Sequence, residues 1–235
     1  NVYSLVIRKK KPGFEVVLVP GYPESDTDNK KNKPGVWGSL LRRNGTDRFF
    51  VYADRKEGYA GPIDLEFEGL PDFIKGGKGT IPAGKNSTTL LLHVGPEANE
   101  WRGLLKVFAR AKLGDAEVRR EVTYGTLLWS GVTAARLTSG VATAVSHAEP
   151  SPFTIESVAP INEMTPGGSL DLALKVHRED GAQGKITVNA INLPPNMELK
   201  QFTVNDKKTD AKVKLTVKPG APLGLHSFYF RCNTE

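Results

Sequence analysis

Hydrophobic and polar residues alternate with a period of two along most of this chain. Ile63, Leu65 and Phe67 fall between Asp64, Glu66 and Glu68, while Val213, Leu215 and Val217 fall between Lys212, Lys214, Thr216 and Lys218. Such alternation predicts strands with one buried face and one wet face. Leu105, Val107, Ala109 and Ala111 alternate in the same way with Lys106, Arg110 and Lys112, and their counterparts further along are Phe228, Phe230 and Cys232. Turn signals punctuate these runs at Glu57-Gly58, Pro82-Ala83-Gly84, Leu113-Gly114-Asp115, Thr165-Pro166-Gly167-Gly168, Asp180-Gly181 and Lys218-Pro219-Gly220. That spacing suits an antiparallel two-sheet fold. The Ala-rich stretch 133–147 could be helical, but Val141, Val145 and Gly140 favour a strand and connector.

The chain also repeats itself. Residues 53–71 and 176–194 align without a gap at an offset of 123, so that Arg55 meets Arg178, Gly58 meets Gly181, Gly61 meets Gly184 and Leu70-Pro71 meets Leu193-Pro194. The offset holds at Ile81 against Val204, Leu92 against Leu215 and Pro96 against Pro219, after which a two-residue slip is expected to align Gly103 with Gly224. Upstream, Phe14 matches Phe153 once about sixteen extra residues are allowed in the first copy. A weaker match relates residues 2–14 to residues 141–153. Three segments follow: a closing strand and connector over 1–13, a first domain over 14–148 with an insert at about 22–38, and a second domain over 149–235.

The pattern Arg-x-x-Gly-x-x-Gly-x-Ile, then Gly-Leu-Pro or Asn-Leu-Pro, then Thr-Ile-Pro-Ala-Gly and a strand ending in Gly-Pro, resembles the immunoglobulin-like repeats of large secreted or cell-surface bacterial proteins, of the kind found beside pre-peptidase C-terminal domains. Arg55, Gly58, Gly61, Leu70, Pro71, Ile81, Pro82 and Gly84 carry the resemblance. Residues 2–14 resemble the closing strand of a pre-peptidase-type module. The resemblance implies an all-β fold of tandem immunoglobulin-like antiparallel β-sandwiches with a spacer, adhesive or envelope role and no catalytic residue. The second copy departs from it at Asn205-Asp206-Lys207, and the insert around Pro23 to Trp37 is unusual.

Composition narrows the picture further. The chain has 235 residues and a net charge of +6. Its basic runs, Arg8 to Lys11 and Lys30 to Lys33, read as solvated loops, so no nucleic-acid partner is expected. No run of 18 apolar residues occurs, and no membrane span is expected. Opening on Asn1-Val2-Tyr3, the sequence reads as a processed or excised piece. Cys232 is the single cysteine, so no intrachain disulfide can form. A secreted eukaryotic immunoglobulin domain would more often carry a pair, which favours a bacterial protein located extracellularly, at the cell surface or in the periplasm.

Candidate chemistry is sparse. Gly79 to Asn86 nearly spells a phosphate loop, but Asn86 replaces the magnesium-binding hydroxyl and a strand follows where a helix is needed. Asp26 and Asp28 suggest calcium, yet Lys30 stands at the third ligand position. His93, His147, His177 and His226 are scattered singly, so no metal or other cofactor is expected. Arg55 and Arg178 sit at strand ends before Gly-bearing turns, where each stem can lie on apolar surface and each head can bind backbone carbonyls. With Gly58, Gly61, Gly181 and Gly184 they form the structural motif. Trp37 and Trp101 are candidate sugar-stacking platforms, Trp37 because inserts on sandwich loops often carry binding.

The reading that follows is a non-enzymatic spacer, adhesion or surface-lattice segment of a larger exported protein. A carbohydrate-binding accessory module of a secreted enzyme is the alternative. Expected partners are neighbouring domains of the same chain, with self-association through the C-terminal edge strand, or polysaccharide, as further candidates. The first copy has a hairpin over 104–124, whereas the second stops just after its strand at 225–232. A row of backbone groups at 227–231 is therefore expected to lack a partner. The expected remedy is a native strand beyond residue 235, with a strand from another chain as the alternative.

Overall fold

A computed structural model describes residues 8–21, 38–127, 135–146, 151–159, 163–179 and 182–234. The fold is all-β and consistent with a β-sandwich; no helix occurs among the described residues. Among the described residues nineteen strands make four sheets. The first sheet contains β1 (Gly13–Pro20), β3 (Thr46–Lys56), β5 (Ile74–Gly76), β7 (Ser87–Val94), β10 (Thr123–Leu127) and β11 (Ala135–Thr138), in the order β11-β10-β1-β3-β7-β5. The second contains β2 (Ser39–Arg42), β4 (Ile63–Glu68), β6 (Lys78–Ile81), β8 (Trp101–Leu113) and β12 (Val141–Ser146), in the order β2-β12-β8-β4-β6, with β9 (Ala116–Glu121) also paired to β8. The third runs β13-β14-β18-β16, from β13 (Phe153–Ser157), β14 (Ser169–Arg178), β16 (Met197–Leu199) and β18 (Asp210–Val217). The fourth runs β17-β15-β19, from β15 (Ile186–Ile191), β17 (Phe202–Val204) and β19 (Tyr229–Thr234).

Alternating residues build the cores. Phe14, Leu18, Phe49, Val51 and Leu92 of the first sheet meet Ile63, Leu65, Phe67, Leu105 and Val107 of the second in one buried cluster. The rings of Phe49 and Phe67 touch edge to face across it, 5.2 Å apart. Burying a side chain of this size stabilises by about 1.5–3 kcal/mol. In the C-terminal half, Leu172, Leu174 and Leu215 form one cluster and Val176, Ile186, Val188 and Val204 another, with Phe202 and Phe230 packed against both. The outward residues are charged: Arg119 of β9 lies 3.4 Å over the ring of Phe108 and bonds Glu68 at 2.7 Å.

Strand registers correspond between the two halves. Thr46↔His93 becomes Ser169↔Thr216, Ile63↔Ile81 becomes Ile186↔Val204, and Leu65↔Ala109 becomes Val188↔Cys232, each residue moved by 123 positions. Phe14↔Arg55 becomes Phe153↔Arg178, in which the first partner moves by 139 and the second by 123. Gly69 and Asn192, each just before Leu-Pro, both take left-handed backbone at φ 72 and φ 67. This conformation is open to glycine and, among side chains, easiest for Asn or Asp.

Several expectations are corrected. Two strand pairs are parallel rather than antiparallel, β1 with β10 and β2 with β12. The hairpin partner of β8 ends at Glu121, and the chain then crosses at the buried Val122 to lay β10 on the opposite sheet, so residues 123 and 124 do not continue it. The connector over 133–147 contains two strands, β11 and β12. No slip separates Gly103 from Gly224: Ala109 and Cys232 hold matching ladder positions at the original offset, and Gly224 alone of the two is left-handed, at φ 117. The last strand begins at Tyr229, because Gly224 and Leu225 turn instead toward β6.

Candidate functional site

Two features combine charge, burial and shape: a pair of arginine clamps at the turns that follow β3 and β14, and a cavity where the C-terminal sheets face the N-terminal ones. Arg55 leaves the end of β3 and donates three hydrogen bonds to backbone carbonyls, Nε to Lys85 at 2.8 Å, Nη1 to Gly61 at 2.5 Å and Nη2 to Pro82 at 3.0 Å. Its guanidinium carbon lies 5.4 Å from the ring centroid of Tyr59, whose hydroxyl donates to Pro62 O at 2.7 Å. Gly58 supplies a left-handed turn residue at φ 87. Gly61 has no room for a side chain, since a Cβ there would come within 2.7 Å of the Tyr59 hydroxyl.

Arg178 repeats the arrangement with fewer bonds. Nη1 donates to Gly184 O at 3.0 Å and Nη2 to Asn205 O at 3.3 Å, while Nε has no partner among the described residues. Phe153 takes the place of Tyr59 beneath the cation, at 5.3 Å. Asp206, where the first half has Ala83, accepts from the Gly184 N–H at 2.7 Å. Gly181 and Trp37 lie outside the described residues, as do Asp26, Asp28 and His147. The clamps tie loops together, with all three bonds of Arg55 and both bonds of Arg178 going to backbone carbonyls.

Trp101 opens β8, half-buried and packed against the N-terminal core. Its ring occupies the space a Cβ on Gly103 would need, 2.3 Å from Trp101 Cζ2. Among the described residues no three His, Cys, Asp or Glu side chains converge as metal ligands. No helix there is long and apolar enough to cross a membrane.

The cavity has a volume of about 1080 Å³. Its apolar wall is the inner face of the C-terminal sheets, including Leu172, Leu174, Leu215, Phe228 and Phe230, and its other wall includes Thr46, Asp47, Lys75 and His93. Burial pushes Asp47 above the ordinary carboxylate range, against hydrogen bonds from Ser39 Oγ at 2.6 Å and the Arg48 N–H at 2.8 Å. Burial also pushes His93 below the ordinary imidazole value, with Thr46 Oγ1 3.1 Å from its Nδ1. Cys232 lines the cavity, and burial pushes its thiol up to about 11, which suits an inert side chain.

Sequence reasoning missed the contacts that join the halves. Asn44 Nδ2 donates to Glu179 Oε1 at 2.5 Å, and the Ser151 N–H to Arg43 O at 2.8 Å. The Thr80 N–H donates to Leu225 O at 2.8 Å, and Thr80 Oγ1 accepts from the Leu225 N–H at 3.1 Å. The one sequence signal for this last contact is Gly224, where a Cβ would come within 2.8 Å of Thr80. No family model matches the chain, and no curated protein matches it either.

Proposed function

We propose that this chain is a non-enzymatic structural segment of a larger exported bacterial protein, built from two immunoglobulin-like β-sandwiches in tandem and serving as a spacer, adhesion element or lattice subunit. The observation that carries this reading is the recurrence of ladder register and arginine clamp 123 residues apart, Arg55 to Gly61 O and Pro82 O in one half, Arg178 to Gly184 O and Asn205 O in the other. What recurs in both halves is scaffolding, with both terminal guanidinium nitrogens of each arginine bonded to backbone carbonyls. The perturbed groups Asp47, His93, Tyr124 and Cys232 owe their shifts first to burial. The packing of Trp101 onto Gly103 weighs against a sugar platform at that residue.

Single-molecule stretching tests the reading. Two independent sandwiches should give two unfolding events, with contour lengths of roughly 47 nm for residues 13–146 and roughly 29 nm for residues 153–234 at about 3.5 Å per residue. A single event spanning both would refute the tandem arrangement. Retention on polysaccharide gels that is lost on Trp37→Ala would replace the spacer with the carbohydrate-binding module.

A further inference from the structure

The outward face of the first sheet is apolar where the outer face of a sandwich is ordinarily polar. Val17 and Val19 of β1 stand beside Tyr52 and Phe50 of β3, in the ladder pairs Val17↔Tyr52 and Val19↔Phe50. Tyr52 is 51% exposed, and Leu137 of β11, 60% exposed and paired with Gly125 of β10, extends the face sideways. Gly125 keeps it level, since a Cβ there would come within 3.2 Å of Val17 Cγ1 and 3.4 Å of Val19 Cγ2.

The second half shows that the strand ladder does not require these residues. The registers that carry Thr46↔His93 onto Ser169↔Thr216 and Phe14↔Arg55 onto Phe153↔Arg178 also carry Val17 onto Glu156, Tyr52 onto Lys175, Thr89 onto Lys212 and Phe50 onto Ala173. Glu156, Lys175 and Lys212 are charged and exposed. The same outward positions are thus wet in one copy of the repeat and apolar in the other, so the apolar ones answer to something outside the sandwich.

The order of charges along β3 selects the partner. Its outward residues run Arg48, Phe50, Tyr52, Asp54, with Arg48 5.0 Å over the Phe50 ring at one end and Glu15 beside Asp54 at the other. Turned end for end about an axis across the strands at the level of Val51, this series meets itself with Arg48 over Asp54, Phe50 over Tyr52 and Val19 over Val17. Each contact then occurs twice, which is the self-complementarity an isologous pair requires. Asp54 already holds Lys56, and the two oxygens of a carboxylate can accept from both cations.

We propose that this face is a homodimer surface, on which two copies of the chain pack their first sheets face to face and antiparallel along β3. Phe50 and Tyr52 form its centre, and an Arg48–Asp54 pair closes each end. The face measures about 20 Å along β3 from residue 48 to residue 54 and about 19 Å across the five strands from β11 to β7. That is about 400 Å² per copy, half of what a stable interface buries, so the pair is weak and forms at high local concentration. Its existence depends on one outward face alone and is independent of how many unfolding events the chain shows.

Sedimentation of the full chain should show mass rising from one copy toward two between about 10 μM and about 1 mM and then levelling, because an isologous contact closes. Tyr52→Lys, the side chain that the second half carries at this position as Lys175, should weaken the pair at least about tenfold while the circular dichroism stays that of the folded chain. Arg48→Glu and Asp54→Arg should each weaken it at least about fivefold by setting like charges opposite one another, and the double variant should return to within about twofold of the wild type. Within one copy residues 48 and 54 lie about 20 Å apart, so that rescue can come only from across the two-fold axis. Four results would overturn the proposal: a monomer at about 1 mM, pairing that survives Tyr52→Lys, a double variant no better than the single ones, or mass growing past two copies. A monomeric chain retained on insoluble polysaccharide, with retention lost in Tyr52→Lys, would assign the face to a glycan instead.

Discussion

Replacing Arg55 by Met keeps the aliphatic stem but removes the three bonds to Lys85, Gly61 and Pro82 and the contact with Tyr59. A hydrogen bond from a charged group is worth about 1.5–3 kcal/mol when fully desolvated, and an exposed cation–π contact about 0.5–1 kcal/mol. Arg55 is only half-buried, so water can reclaim part of each released carbonyl, and the bonds act as one unit. The net cost should be about 2–4 kcal/mol. Arg178→Met, with two bonds and a longer reach to Asn205, should cost about 1–3 kcal/mol. Trp37, Trp101 and Trp129 all precede residue 149, so tryptophan fluorescence in a urea titration reports the N-terminal half alone, whereas circular dichroism reports both. Arg55→Met should lower the fluorescence midpoint, and Arg178→Met should lower only the dichroic transition of the other half. A cost for Arg55→Met below about 0.5 kcal/mol, or an Arg55→Lys variant as stable as the wild type, would refute the clamp, since an ammonium cannot span three diverging carbonyls.

Phe67→Ala, which empties a site 5% exposed beneath Phe49, should cost about 3–5 kcal/mol by the same titration, and a loss below about 1 kcal/mol would remove Phe67 from the core. Glu66→Ala on the wet face, bridged to Lys78 at 2.6 Å, should change stability by less than about 1 kcal/mol. Because burial depresses His93, its stabilising contribution is complete above the ordinary imidazole value of about 6.5 and is lost as pH falls through the lowered one; His93→Gln should flatten that part of a stability–pH profile. Asp47 has the opposite sign: its raised value gives stability that is present in acid and lost as pH rises through it, so Asp47→Asn should be more favourable at pH 7 than at pH 3.

The faces of β4, β8 and β18 were legible because each strand has one apolar and one charged side, and that asymmetry is written directly into residue order. The matching registers were legible for a related reason, since a one-residue slip would turn every inward side chain outward. The crossing at Val122 was not. Alternation runs through Val118, Val122 and Tyr124 whether the chain stays on one sheet or changes sheets, and nothing local marks the change. The parallel pairing of β2 with β12 joins residues about a hundred positions apart through backbone groups, to which side-chain periodicity is blind. The contact between Thr80 and Leu225 is of the same kind, with only Gly224 to hint that backbones approach closely there.

The two halves solve one mechanical problem with different margins. With a single cysteine, neither can staple its sheets covalently, so loops must be tied by polar bonds and sheets by apolar contact. In the N-terminal half, three clamp bonds and an enclosed core do both. The C-terminal half has two clamp bonds, with Asp206 tying the Gly184 loop from the other side, and its phenylalanines at 228 and 230 are only half-covered. Each half-exposed phenylalanine forgoes about half of the 1.5–3 kcal/mol that full burial of such a side chain provides. Against a total domain stability of about 5–15 kcal/mol, that shortfall predicts a lower urea midpoint for the C-terminal half, read by circular dichroism, than the fluorescence midpoint of the N-terminal half, and coincident midpoints would refute it.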